Sequence, residues 1–133
     1  MAPNRESDRE PAREVVDGVE MVKNEKVEIG EILPEELNQR LSRGERPLIL
    51  DVREPEEIAI ASFPGATHIP MGDIPSRISE LDPDQETVVV CHHGIRSAQV
   101  AMYLARLGFE RVSNLSGGID LWSATVDPAV PRY

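Results

Sequence analysis

TVVVCHHGIRSAQVAMYLARLGF, Thr87 to Phe109, is the stretch from which the rest of the chain can be read. TVVVC (Thr87 to Cys91) is short and β-branched and shows no polar alternation, so it predicts a strand covered on both faces. SAQVAMYLARLGF places Val100, Ala101, Leu104 and Leu107 at helical packing offsets and ends on Gly108, a C-terminal stop. A buried strand running through a short loop into an amphipathic helix is the repeating unit of an α/β protein with a mostly parallel sheet.

The same alternation extends in both directions. Upstream, LPEELNQRLSRGE has Pro34 at a first-turn position, Leu33, Leu37 and Leu41 on one helical face, and Gly44 as a stop. LILDVR (Leu48 to Arg53) is a second buried strand, PEEIAIA (Pro55 to Ala61) a helix start, and THIPM (Thr67 to Met71) a short strand or edge segment. IPSRISEL (Ile74 to Leu81) has helical spacing and is closed by Asp82-Pro83. Downstream, RVSNLSGG returns as a last strand and IDLW begins a final helical turn. Residues 1–28 hold eight acids and five bases without a sustained period, and are expected to form a mobile acidic tail with at most frayed helix in REVVDGVEMVK. The folded domain is expected over 29–133.

Composition narrows the function. The 133 residues carry a net charge of −10, which works against nucleic-acid binding without excluding a small anion in a locally positive pocket. No apolar run approaches the ~20 residues of a membrane span, and the first residues lack the apolar stretch of a secretory signal. The single cysteine rules out an intramolecular disulfide, so a reducing cytoplasm is the expected setting. A monomer is expected, with no membrane and no nucleic-acid partner.

That cysteine stands where a parallel sheet binds ligands, beyond the carboxyl end of a strand and just before a helix. The helix N-terminus offers unpaired N–H groups and partial positive charge. Gly94 lets the loop curl into an anion-binding nest, and Arg96 adds a permanent cation with a planar fork of donors. Each feature favours a thiolate, so Cys91 is expected to be an ionised nucleophile. With no second cysteine to resolve a disulfide, such a thiolate can attack phosphorus or accept a sulfur atom as a persulfide.

LILDVREPEE, FPGATHIP, VVVCHHGIRSAQVAMYLARLGF and VSNLSGGIDLW, in this order over about Ile32 to Tyr133, resemble a single-domain rhodanese, a sulfurtransferase module. The resemblance implies a central, mostly parallel sheet flanked by helices on both sides, and Cys91 as carrier of a sulfane sulfur taken from a donor such as thiosulfate. It implies that the amides of His92, His93, Gly94, Ile95 and Arg96 hold the outer sulfur or the donor's oxyanion. It also implies that the Arg96 side chain binds the anionic donor or stabilises the persulfide, and that Ser97 caps or begins the helix. The C-x4-R loop is one residue shorter than the C-x5-R loop of related cell-cycle dual-specificity phosphatases and suits a sulfur atom better than a phosphate. No cofactor is implied. A thiophilic acceptor (cyanide, a thiol or a carrier protein) must complete turnover.

The alternatives are a phosphatase or arsenate reductase using the same thiolate, and a non-catalytic binding module. Ser62 stands where many relatives have histidine, and is assigned to packing or local hydrogen bonding. Asp51 and Arg53 are expected to form an internal charge pair or a loop anchor, with direct substrate contact by Arg53 as the alternative. As neighbours, His92 and His93 are expected to point to opposite sides, and no metal site is expected of them with Cys91 and His68. Trp122 is expected in the core.

Overall fold

Val88, Val89 and Val90 are all fully buried, and consecutive residues of this strand face opposite sides of the sheet. Val88 and Val90 join one core with Ile49, Leu115, Leu37, Ile119 and Trp122. Val89 joins the other with Leu50, Val100, Ala101 and Leu104. A strand apolar on both sides therefore needs helices on both sides, and it has them.

The computed structural model describes residues 12–16, 19–23 and 27–133. In chain order the elements are β1 (Ala12–Val16), β2 (Val19–Lys23), β3 (Gly30–Ile32), α1 (Pro34–Ser42), β4 (Leu48–Asp51), α2 (Pro55–Ile60) and β5 (Thr67–His68). They continue with two 3-10 segments (Met71–Asp73 and Pro75–Glu80), β6 (Thr87–Val90), α3 (Ile95–Arg106), β7 (Val112–Leu115) and α4 (Gly118–Thr125). Five strands form one sheet in the order β3-β7-β6-β4-β5, and every neighbouring pair is parallel. The central position of β6 explains its lack of polar alternation. No helix among the described residues is long and apolar enough to cross a membrane.

Several expectations need correction. The expected mobile tail lies largely outside the described residues, but Ala12–Val16 pairs antiparallel with Val19–Lys23, so REVVDGVEMVK holds a strand pair and not frayed helix. The signal was present: Asp17-Gly18 between two valine-bearing runs is the sequence signature of a two-residue hairpin. β3 was missed because it is three residues long at the sheet edge. IPSRISEL forms 3-10 turns and not an α-helix, with a break at Arg77 (φ −114°, ψ 15°). Leu33 precedes α1 and is 51 % exposed, so it leaves the apolar face to Leu37 and Leu41. Ser62 is exposed and so plays no packing role. Trp122 is buried as expected, with its ring 4.6 Å from that of Phe63.

Candidate active site

Cys91 follows β6 directly, and Gly94, with φ at +103°, turns the chain into α3. L side chains rarely adopt this left-handed conformation. A Cβ at Gly94 would also press on the Gly117 amide at 3.3 Å, so the fit is tight as well as left-handed. The curled loop aims the Gly94 N–H at the Cys91 Sγ, 3.1 Å away. Of the five loop amides expected around the sulfur, this one lies within hydrogen-bond distance of Sγ itself.

Ser97, in the first turn of α3, is fully buried with its Oγ 3.2 Å from the sulfur. The hydroxyl also meets Asn114 Oδ1. One hydroxyl carries one proton, so it can donate to only one of these two. Asn114 Nδ2 faces the Gly94 carbonyl at 3.1 Å and the Glu31 carboxylate at 3.2 Å, both acceptors, which leaves Oδ1 as an acceptor for Ser97. The Ser97 hydroxyl thus stands between two acceptors, Asn114 Oδ1 and the Cys91 sulfur.

The loop is tied down from the far end of the chain. Ile119 and Asp120 donate their amides to the carbonyls of Cys91 (2.9 Å) and His92 (3.1 Å). Gly118, at φ +62°, lets α4 approach so closely that a Cβ there would run into the Cys91 and His92 carbonyls.

Arg96 is not a free fork. Its NH1 and NH2 bind Glu57 Oε2 and Oε1 at 2.7 and 2.8 Å. Glu57 is the third residue of α2, and the same carboxylate accepts the Glu54 amide that opens the helix (2.9 Å) and the Tyr133 hydroxyl (2.9 Å). With the Arg96 guanidinium as the main cause, the Glu57 carboxyl is pulled down to about 2, so it is ionised across the physiological range. Arg96 is held above the ordinary guanidinium range, chiefly by Glu57.

Arg53 is sealed inside, as expected, on Asp51 (2.7 Å) and the Ala61 carbonyl (2.7 Å), and it donates to the Tyr133 oxygen at 2.9 Å. Its burial removes it from direct substrate contact. Ile95, 72 % exposed, projects from the loop into solvent.

The two histidines do not diverge. Their ring centroids lie 3.8 Å apart, and the His92 ring stacks on Tyr133 at 3.8 Å with planes only 5° apart. Ligand atoms of His92, His93 and Asp120 come within 4.8 Å of one another, so these residues, and not the set with Cys91 and His68, could approach a metal ion. Arg132 already engages both oxygens of Asp120, at 2.9 and 3.1 Å, and a cation would have to displace it. His68 is elsewhere engaged, on the Arg53 carbonyl at 2.6 Å.

The sequence reading thus located the loop but missed Glu31, Glu57, Asn114, Gly118 and Tyr133, which shape it from other elements. Comparison with known proteins identifies the family. The family profile described as Rhodanese-like domain matches residues 33–125. A sulfurtransferase of Allochromatium vinosum is 44 % identical over 95 residues, spanning 71 % of this chain and 89 % of its own length. A thiosulfate sulfurtransferase, GlpE of Pseudomonas entomophila, is 37 % identical over 83 residues, 62 % of this chain and 76 % of its own. The crystal structure of a rhodanese-like domain protein from Staphylococcus aureus matches with a TM-score of 0.69 at 31 % identity, covering 79 % of this chain and 99 % of that one. With a parallel α/β sheet, a cysteine loop at its carboxyl edge and these relatives, the chain belongs to the rhodanese-like domain family.

Proposed function

We propose that this rhodanese-type sulfurtransferase carries sulfane sulfur on Cys91, taking it from a small anionic donor such as thiosulfate and passing it to a thiophilic acceptor. The observation that carries the reading is the Gly94 N–H aimed at the Cys91 sulfur at 3.1 Å, in a loop that opens α3. A donor hydrogen bond and a helix N-terminus both favour negative charge on sulfur, whether thiolate or persulfide.

With thiosulfate, the Cys91 thiolate attacks the outer sulfur of the donor. An S–S bond forms at Cys91, the bond to the sulfonate sulfur breaks, and its electron pair leaves with sulfite. Attack by cyanide, a thiol or a carrier protein on the outer sulfur then releases Cys91 as thiolate. Cys91 is only 1 % exposed, which suits transfer of a single sulfur at the tip of a donor better than that of a bulky tetrahedral phosphate. Ser97 and the loop amides of His92, His93, Ile95 and Arg96 are assigned to holding the donor and the persulfide. The lone thiol fits a reducing cytoplasmic setting.

Incubation with thiosulfate followed by intact-mass measurement tests the reading. The expected result is a gain of one sulfur atom, reversed by cyanide and absent in Cys91→Ser. Hydrolysis of an aryl phosphate without sulfur uptake would favour the phosphatase reading instead, and neither activity would leave a binding module.

A further inference from the structure

The charges around the cysteine loop cancel in pairs. Arg53 is matched by Asp51, Arg96 by Glu57 and Arg132 by Asp120. A further carboxylate, Glu31, reaches Asn114 and Ser116 at the back of the loop. The cation that the sequence supplies for anion binding is therefore present but neutralised, and the pull on an incoming anion falls to the loop amides and the start of α3.

The Glu57 clamp is not casual. Four donors from three separate elements converge on one carboxylate: two from Arg96 in α3, the Glu54 amide at the start of α2 and the Tyr133 hydroxyl. The Arg96–Glu57 contact is partly buried, at 33 % and 19 % side-chain exposure, where solvent screens it less than a surface pair. Arg96 lies in the first turn of the helix whose capping residue, Gly94, meets the Cys91 sulfur at 3.1 Å, so whatever sets its effective charge acts beside the reacting atoms.

We infer that Glu57 is a specificity-determining residue: by neutralising Arg96 beside Cys91, it biases the site against doubly charged sulfur donors and towards donors that bring sulfane sulfur with one negative charge or none, such as alkyl hydropersulfides. The inference rests on the sulfur-transfer reading above. With a hydropersulfide, the Cys91 thiolate attacks the terminal sulfur, an S–S bond forms at Cys91, and the donor's S–S bond breaks. The proton stays on the transferred sulfur, and the electron pair leaves with the donor as an alkyl thiolate.

Electrostatics makes the inference quantitative. A change in potential at the site acts on a donor in proportion to its charge, so a dianion responds strongly and a donor of zero net charge hardly at all. A purely structural role for Glu57 would move both donors alike. The test measures second-order rates of Cys91 persulfide formation by intact mass, using thiosulfate and cysteine hydropersulfide, in the wild type and in Glu57→Gln.

Loading from thiosulfate is expected to rise about tenfold in Glu57→Gln, on the order of one partly screened unit charge removed near the site. Loading from cysteine hydropersulfide, which has no net charge when its outer sulfur keeps the proton, should stay close to the wild-type rate. Glu57→Asp keeps the charge and should keep the wild-type donor ratio, which provides the test if Glu57→Gln does not fold. Equal changes for both donors, slower thiosulfate loading in Glu57→Gln, or a shifted ratio in Glu57→Asp would overturn the role of Glu57 alone. Failure of both donors to load the wild type would overturn the sulfur-transfer reading and this inference with it.

Discussion

Two arginine–carboxylate pairs flank the reactive loop, built from the same chemical groups and differing in burial. Arg53 and Asp51 are sealed, at 0 % and 1 % side-chain exposure, while Arg96 and Glu57 retain 33 % and 19 %. Arg53 fastens the end of β4 to the Ala61 carbonyl, so its charge serves the fold. Arg96 stands at the loop with both amino groups on Glu57, and a third of its side chain remains exposed. Tyr133 bridges them, accepting from Arg53 and donating to Glu57. One residue type thus supplies a structural bolt and an adjustable charge side by side, and burial decides which is which.

The sharpest way to break the comparison is Arg53→Ala. It strands the buried Asp51 carboxylate and should cost roughly 3–5 kcal/mol of stability, read from urea unfolding. A loss below about 1 kcal/mol would mean that the pair is not the bolt described. Arg96→Ala leaves the partly exposed Glu57 carboxylate unpaired, so it should cost less stability than Arg53→Ala while thiosulfate loading slows beside the uncompensated negative charge. Losing a charged contact of ~1.5–3 kcal/mol corresponds to roughly ten- to hundredfold in rate. An unchanged loading rate would remove Arg96 from donor binding.

Tyr133→Phe deletes the shared hydroxyl and should cost about 0.5–1.5 kcal/mol in stability. If the bridge matters, it should also make the effects of Arg53 and Glu57 substitutions closer to additive, which a double-mutant cycle reads directly. The gentlest effect is acid-dependent. Because the Glu57 carboxyl is lowered from an ordinary 4.5 to about 2, its contribution is whole above about pH 4.5 and fades as pH falls toward 2. Unfolding free energies across that window should fall less steeply in Glu57→Gln than in the wild type. Equal slopes would show that the clamp contributes nothing to acid stability.

The contrast also explains what the sequence could reveal. The β6–loop–α3 segment was legible because strand, cysteine, glycine and helix are contiguous and each carries its own signal: β-branching, a thiol, a left-handed turn and a 3.6 period. The Asp51–Arg53 pair was legible for the same reason, with its partners two residues apart. Glu57 was not. Within PEEIAIA it reads only as a first-turn acid, and its link to Arg96 spans 39 positions. Glu31 and Asn114 meet across 83, through a strand too short to announce itself. Tyr133 lies 76 positions from Glu57, and nothing local marks it. The His92 ring lies flat on Tyr133 and close to His93, contacts that the alternation of neighbouring residues cannot foresee.

The anchoring of the Cys91 and His92 carbonyls by the amides of Ile119 and Asp120 has a consequence for biosynthesis. A ribosome makes the nucleophile well before it makes the segment that shapes its surroundings, and Gly118 must dock before the loop acquires its bound form. Until then the emerging polypeptide carries its cysteine in a loop that lacks these two anchors.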